Sequence, residues 1–426
     1  MKVLVVGGGG REHALCLKLS SSSLVDKLYC TPGNAGIEEC AECVPIGGED
    51  IDELVKFAVE TSIDMVAVGP EAALVKGLAD RLNKKNIKVF GPSRAAAEIE
   101  GSKVFAKDLM KGAAIPTGEY GVFENWDKAW FYVKRLGSPV VIKADGLAAG
   151  KGVIVCQTLE EASNALSLIM TERAFGDAGK KVIVEECLVG EEASFIAVTD
   201  GKTILPLASS QDHKAVYDDD KGPNTGGMGA YSPAPIVTGE MHSAIMEKVM
   251  VPTVRAMTQM GRPYRGVLYA GMMIKGDRPK VLEFNARFGD PETQPQMTRL
   301  KTDLGELMLA TIDGTLDKLT LEWDPRPAVC VVMASGGYPG VYDKGHVIEG
   351  LEDVKAMDDV TVYHSGTKRD GNNIVTNGGR VLGVTALGDD IRAAIDRAYE
   401  AVSKIHWDGA HYRKDIGAKA IKRVEG

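Results

Sequence analysis

Glu283, Asn285 and Arg287 are the residues whose types and spacing most directly specify chemistry in this chain. They lie in the run Val281-Leu282-Glu283-Phe284-Asn285-Ala286-Arg287-Phe288-Gly289-Asp290-Pro291-Glu292. The run opens like a strand, and alternate side chains of a strand share a face, so the three should project together. A carboxylate and an amide oxygen are hard ligands suited to Mg²⁺, and a guanidinium neutralises a transferring phosphate. The plain alternative is an edge strand with a solvated polar face.

A second cationic element should face this one. Pro139–Lys143 and Gly152–Cys156 read as strands flanking Ala144-Asp145-Gly146-Leu147-Ala148-Ala149-Gly150-Lys151. The loop is no Walker A motif. Three residues separate Gly146 from Gly150-Lys151, Gly152 follows the lysine, and a strand follows in place of a helix. It therefore sits in a hairpin and can fold over a nucleotide as a lid. Lys143 alternates with Val141, and an ammonium among apolar neighbours needs an anion, either a phosphate or a structural partner. Next, Val182-Ile183-Val184-Glu185-Glu186-Cys187-Leu188 runs into Glu191 and Glu192. A buried strand ending in clustered carboxylates can offer backbone groups to adenine and a carboxylate to ribose, although paired glutamates are commonly just solvated.

The elements that must position these groups follow from periodicity. Lys2–Val6, Lys27–Thr31, Asp64–Val68 and Ile87–Phe90 read as short buried strands, and Ile51, Leu54, Val55 and Ala58 recur at helical spacing. Such alternation implies a parallel sheet covered on both faces. Each strand ends in a Gly- or Pro-rich loop (Gly7–Gly10, Pro32–Gly36, Gly69–Glu71, Gly91-Pro92), and ligands of open parallel sheets bind at those ends. The first loop fails the dinucleotide fingerprint, because Glu12 stands where the third glycine belongs. The helix expected over Arg11–Leu19 can still bind phosphate through its N-terminal amides, with a plain tight turn as the equal alternative.

Residues 209–235 read as a long polar loop holding Asp212, His213, Lys214 and Gly227, with Asp218–Asp220 as a solvated run and His213 as a polar loop residue. Beyond about 325, Ala328–Ala334 and Arg380–Leu387 read as strands, and Ile391 to Ile405 as an amphipathic helix.

Composition sets the outer bounds. A chain of 426 residues suggests about three domains. With 44% apolar residues it can bury a substantial core, and a net charge of −9 argues against general nucleic-acid or anionic-membrane binding. No stretch approaches a membrane span or a signal peptide. Seven scattered cysteines argue for a reducing cytoplasm over a disulfide framework. Cys40 and Cys43 form a CxxC that lacks the second pair a zinc site needs, leaving a redox dithiol as the weaker reading.

Taken in order, several segments resemble the ATP-grasp ligases, and within them the phosphoribosylamine–glycine ligase family. They are Gly-Gly-Gly-Arg-Glu-His-Ala (8–14), Pro-Gly-Asn-Ala-Gly (32–36), Gly-Pro-Glu (69–71), residues 142–153, Ser-Gln-Asp-His-Lys (210–214), residues 222–233 and residues 283–294. The resemblance spans essentially the whole chain. It implies an α/β architecture: an N-terminal parallel-sheet domain (1–101), a two-lobed ATP-grasp region (102–325, lid subdomain about 120–190) and a smaller C-terminal α/β domain (326–426). It also implies ATP-dependent ligation of glycine to 5-phosphoribosylamine through glycyl phosphate, in purine biosynthesis. A cytoplasmic, monomeric enzyme using ATP with Mg²⁺ or Mn²⁺ is expected, without nucleic-acid or membrane partners.

Carried over residue by residue, Lys103, Lys143, Gly146, Gly150, Lys151 and Gly152 would hold ATP phosphates. Glu185, Glu186 and Leu188 would line adenine, and Glu191 or Glu192 would take ribose. Glu283 and Asn285 would ligate the metal. Arg287 and Asp290 would act on the reacting groups. Gly10, Arg11, Asn34, Gly36, Pro70 and Glu71 would bind phosphoribosylamine, with Asp212, Lys214, Gly227 and Glu292 joining the two substrates. Many ATP-grasp enzymes carry a further acidic metal ligand on the preceding strand, and Gly266–Ile274 contains none. Rival readings are a nicotinamide-dependent oxidoreductase, weakened by the broken glycine fingerprint, and a nucleotide-binding regulatory module, weakened by the Glu283/Asn285 pair. A carboxylase acting on bicarbonate is the nearest alternative within the superfamily.

Overall fold

The computed structural model describes residues 1–147 and 152–425. Its first sheet is fully parallel, in the order β3-β2-β1-β4-β5. These strands are β1 Lys2–Gly7, β2 Lys27–Pro32, β3 Glu42–Cys43, β4 Met65–Val68 and β5 Lys88–Phe90. Val3, Val5, Met65 and Ala67 pack on one side of it, and Leu4, Val6, Val66 and Val68 on the other. Near-continuous apolar runs are what burial on both faces requires. The helix Gly10–Ser20 starts directly after β1, with Glu12 accepting from the Gly9 amide.

Four antiparallel strands build a second sheet, in the segment read as the lid: β6 Tyr120–Phe123, β7 Val140–Ala144, β8 Val153–Cys156 and β9 Val182–Glu186, ordered β6-β9-β7-β8. This unit has its own core around Ala129, Val140, Ile142, Leu166 and Val184. The expected hairpin is present, with Lys143 opposite Val153. Ala148–Lys151 of its loop, including the candidates Gly150 and Lys151, lie outside the described residues.

The facing sheet has β10 Glu191–Thr199 and β11 Ile204–Pro206 on one side and β16 Gly266–Lys275 with β17 Arg278–Asn285 on the other. The segment 209–235 is more ordered than a polar loop. It contains β12 Gln211–Asp212, β13 Ala215–Tyr217, β14 Lys221–Asn224 and β15 Gly229–Ser232. β13 and β14 form a hairpin, whereas β12 and β15 join the C-terminal sheet. That sheet continues through β18 Ala328–Ser335, β22 Arg380–Leu387 and β19 Val360–His364, with β23 Ala410-His411 beside β18. A small β20–β21 hairpin (Thr367–Asp370, Asn373–Thr376) lies outside it. The β15–β18 pairing welds the C-terminal region to the middle of the chain. No helix among the described residues is long and apolar enough to cross a membrane.

One expectation is corrected here and another is refined. His213 is fully buried, with neither ring nitrogen hydrogen-bonded among the described residues, and burial pushes its pKa down to about 3. The Asp218–Asp220 run is exposed, as expected, and it also holds ion pairs with the C-terminal segment. Asp220 pairs with Arg413 at 3.0 Å and Lys419 at 2.7 Å, and Asp218 accepts from the Lys414 amide. These contacts pin the C-terminal segment. The CxxC is a poor redox candidate, because burial raises Cys40 to about 12 and Cys43 to about 11, and a thiolate is the reactive form.

The N- and C-terminal regions meet at His13 and His364, where Asn34 Nδ2 donates to the His364 carbonyl at 2.7 Å. A Cβ on Gly36 would stand 2.5 Å from His13 Cε1 and 2.6 Å from His364 Cγ. Gly36→Ala is therefore expected to destabilise the protein by about 1–3 kcal/mol through overpacking. Urea denaturation measures it, and an unchanged midpoint would show that the rings move aside freely.

Candidate functional site

β17 ends at Asn285, so strand alternation explains Glu283 and Asn285 but does not extend to Arg287. The arginine is aimed instead by ion pairs, Nε to Glu71 at 3.1 Å and Nη2 to Glu100 at 3.1 Å. All three side chains nevertheless line one cleft of about 430 Å³. Opposite Glu283 on β16 stands Gly271, and a Cβ there would sit 3.4 Å from Glu283 Cγ, so the neighbouring strand leaves the carboxylate room.

One end of the cleft is cationic. Lys103, Lys143 and Lys214 line it together with Glu283, and Gly152 closes it from the lid. Burial favours a neutral Glu283. The charges of Lys214, Lys143, Lys103 and Arg287 outweigh that effect and hold it below the usual carboxylate range. Burial pulls the Lys103 ammonium down, and its Nζ donates to the Gly146 carbonyl at 2.8 Å. The root of the lid loop is thus tied to the start of the helix Lys103–Gly112, where Asp145 also accepts from the Val104 amide. Lys143 pairs with Glu185 at 2.5 Å and donates to the Leu282 carbonyl at 3.3 Å. Its structural ion pair therefore exists alongside its place on the cleft wall.

Glu185 is shared. Its other oxygen meets Lys107, a buried lysine pushed down to about 8 chiefly by desolvation. Glu185 itself lies behind the wall, and Glu186 faces away, paired with Lys280 at 3.1 Å. Leu188 lies in the turn between β9 and β10, off the cleft wall. Glu191 pairs with Arg423 and Glu192 with Lys214, each at 2.7 Å, and neither lines the cleft.

The other end mixes signs. Arg11, Pro70, Glu71, Asp212, Asp290 and Glu292 line it. Burial would raise Asp290, but Arg380 and Arg11 hold its carboxyl below the usual range. Burial pushes Asp212 up to about 7 despite the opposing charge of Lys214. Glu292 Oε1 accepts from Tyr269 Oη at 2.6 Å and Ser194 Oγ at 2.9 Å. Gly10, Asn34, Gly36 and Gly227 stay off the wall. Asn34 is committed to the carbonyls of Gly8 and His364, and Gly227 packs against Pro291.

Sequence reasoning missed Glu100, Lys107, Tyr269 and Arg380, all of which line the cleft. Glu100 sits three residues before Lys103, a signal that could have been used. It accepts from the Ala286 amide at 2.6 Å, and burial raises it to about 7.

Among the described residues no group of three or more His, Cys, Asp or Glu could hold a metal ion. Glu283 with Asn285 still fits Mg²⁺, which keeps several waters and needs only one or two protein ligands beside phosphates. Glu283 stays anionic and enters none of the ion pairs found among the described residues, so its oxygens remain available.

Residues 1–100, 101–293 and 328–419 match, in order, the N, ATP-grasp (A) and C domains of phosphoribosylglycinamide synthetase. The chain is 54% identical to the phosphoribosylamine–glycine ligases of Vibrio parahaemolyticus and Escherichia coli K12, covering 100% of each sequence. Among solved structures it is similar to a phosphoribosylamine–glycine ligase of Thermotoga maritima, with a TM-score of 0.85 and 31% identity, over 98% of this chain and 100% of that one. A biotin carboxylase domain from Hydrogenobacter thermophilus shares the fold alone, at a TM-score of 0.75 and 17% identity, over 96% of this chain and 91% of that one. The chain therefore belongs to the phosphoribosylglycinamide synthetase family and is an ATP-dependent ligase.

Proposed function

We propose that this protein joins glycine to 5-phosphoribosylamine, giving glycinamide ribonucleotide, ADP and phosphate in purine biosynthesis. The observation that carries this reading is a single cleft with two chemistries. Lysines gather around Glu283 in one part of it, while Glu71 and Asp290 gather around Arg11 in another. A phosphoryl donor and an amine acceptor can then react without leaving it.

In this reading Lys103 and Lys143 hold ATP phosphates beneath the lid, and adenine extends past the cleft wall toward the turn after Glu185. Glu283 and Asn285 would hold Mg²⁺ or Mn²⁺, which would neutralise phosphate charge during transfer. A glycine carboxylate oxygen attacks the γ-phosphorus, ADP leaves, and Arg287 steadies the transferring phosphoryl group. The phosphoribosylamine nitrogen, placed by Arg11, Pro70 and Glu71, then attacks the glycyl carbonyl. Phosphate departs with the glycine oxygen, and the nitrogen gives up a proton. Asp290 and Glu292 fix the glycine end, with Asp212 and Lys214 between the substrates. Glycyl phosphate hydrolyses readily, which gives a closing lid its use. We also propose domains at 1–101, 102–325 and 326–426, and a cytoplasmic location to which seven free cysteines conform. We further propose that it acts as a monomer.

Glycine labelled with ¹⁸O in its carboxylate tests the route. One labelled oxygen is expected in each inorganic phosphate released, read by mass spectrometry. Unlabelled phosphate would rule out glycyl phosphate.

A further inference from the structure

Among the described residues lining the cleft, Arg380 is the only one from beyond residue 325. It opens β22 in the C-terminal sheet, yet its guanidinium reaches two turns that close the glycine end. Nη1 donates to the Gly226 carbonyl at 2.6 Å and to the Asp290 carbonyl at 2.8 Å, while Nη2 donates to Asp290 Oδ2 at 3.0 Å. Gln294 Nε2 holds the other Asp290 oxygen at 2.8 Å, so both carboxylate oxygens are fixed. A second residue from the same region secures the same turn, because the Gly226 amide donates to Tyr338 Oη at 3.0 Å. The two turns also interlock sterically. A Cβ on Gly226 would stand 3.1 Å from Arg380 Cζ, and one on Gly227 would stand 2.4 Å from Pro291 Cδ.

We infer that Arg380 is a positioning residue through which the C-terminal region sets the glycine end of the cleft, clamping the Gly226-Gly227 turn and Asp290 in one geometry. The inference rests on the glycine reading above. A guanidinium suits the task because its planar fork serves two carbonyls and a carboxylate at once, and a lysine ammonium cannot reproduce that geometry. Among the described residues Lys103 and Lys143 form no hydrogen bond or ion pair with this clamp, and Lys214 meets it only through its carbonyl, which accepts from Thr225 at 2.8 Å, so the ATP KM should respond far less than the glycine KM. Glycine must meet Asp290 and the turn in register, and small misplacements of reacting groups cost rate steeply.

The test is steady-state kinetics of full-length Arg380→Ala and Arg380→Lys, with ATP and glycine varied separately. In Arg380→Ala, kcat/KM for glycine is expected to fall about 100-fold and the glycine KM to rise about 10-fold, while the ATP KM stays within about twofold. Millimolar guanidinium should restore part of the loss. Arg380→Lys, which keeps the charge and carries the test if the alanine variant does not fold, should remain about 10-fold impaired toward glycine alone. Equal losses toward ATP and glycine, or wild-type glycine kinetics in the folded lysine variant, would overturn the assignment. Wild-type protein run alongside keeps the outcomes apart, since absence of glycine-dependent turnover there would overturn the functional reading and with it the role of Arg380 toward glycine, whereas the variant results bear on Arg380 alone.

Discussion

Glu283→Gln is expected to lower turnover roughly 100- to 1,000-fold, the scale seen when one preorganised hydrogen-bond donor is removed from a transition-state site. The substitution keeps shape and deletes one negative charge. Lys214, Lys143 and Lys103 act on that charge in the native cleft. Without it the cleft becomes more cationic, so metal-free ATP should bind at least as tightly as before. What is lost is the oxygen ligand that draws a divalent cation to the phosphates. The Mg²⁺ concentration giving half-maximal rate should therefore rise, and excess Mg²⁺ should recover part of the turnover. Titrating Mg²⁺ against rate at saturating ATP reads both effects. Wild-type turnover at ordinary Mg²⁺ would remove Glu283 from the metal site.

Arg287→Lys is the second large effect, expected at about 100-fold in kcat. The guanidinium spans Glu71 and Glu100 and also donates to the Phe288 carbonyl at 3.2 Å. An ammonium can satisfy only part of this set. Burial already raises Glu100 to about 7, with Arg287 opposing the rise. Weakening that cation should push Glu100 further up, so the carboxyl gains a proton near neutral pH and the anchor loosens. Stability should fall by about 1–3 kcal/mol as a buried ionic contact goes unmet. Rate and unfolding midpoint measured on one preparation separate the two losses. Unchanged kinetics would end the proposed phosphoryl role.

Much of this site was legible in the chain, for identifiable reasons. Glu283 and Asn285 share a strand face, and alternation is a property of the backbone. The parallel sheet announced itself through apolar runs ending in Gly- and Pro-rich loops, and the Lys143 hairpin through two apolar runs around glycines. Segment 209–235 escaped because its strands are two to four residues long, too short to show alternation. β15 also takes its partner, β18, from about 100 residues away. Arg380 escaped for a related reason, since only tertiary docking places a C-terminal strand residue beside Asp290. His213 looked like loop polarity because nothing local signals that Tyr231, Met228 and the C-terminal segment will enclose it. The biotin carboxylase likeness adds a further point. At 17% identity it reports a shared fold, and the bicarbonate reading gains nothing more from it.

The central claim is that glycine is the group activated by ATP and phosphoribosylamine the group that receives it. Steady-state ADP release is the direct measurement, with freshly prepared phosphoribosylamine and either glycine, bicarbonate or another small amino acid. Rapid ADP formation is expected only when glycine and phosphoribosylamine are both present. Release that ignores glycine, or that bicarbonate supports equally, would contradict it.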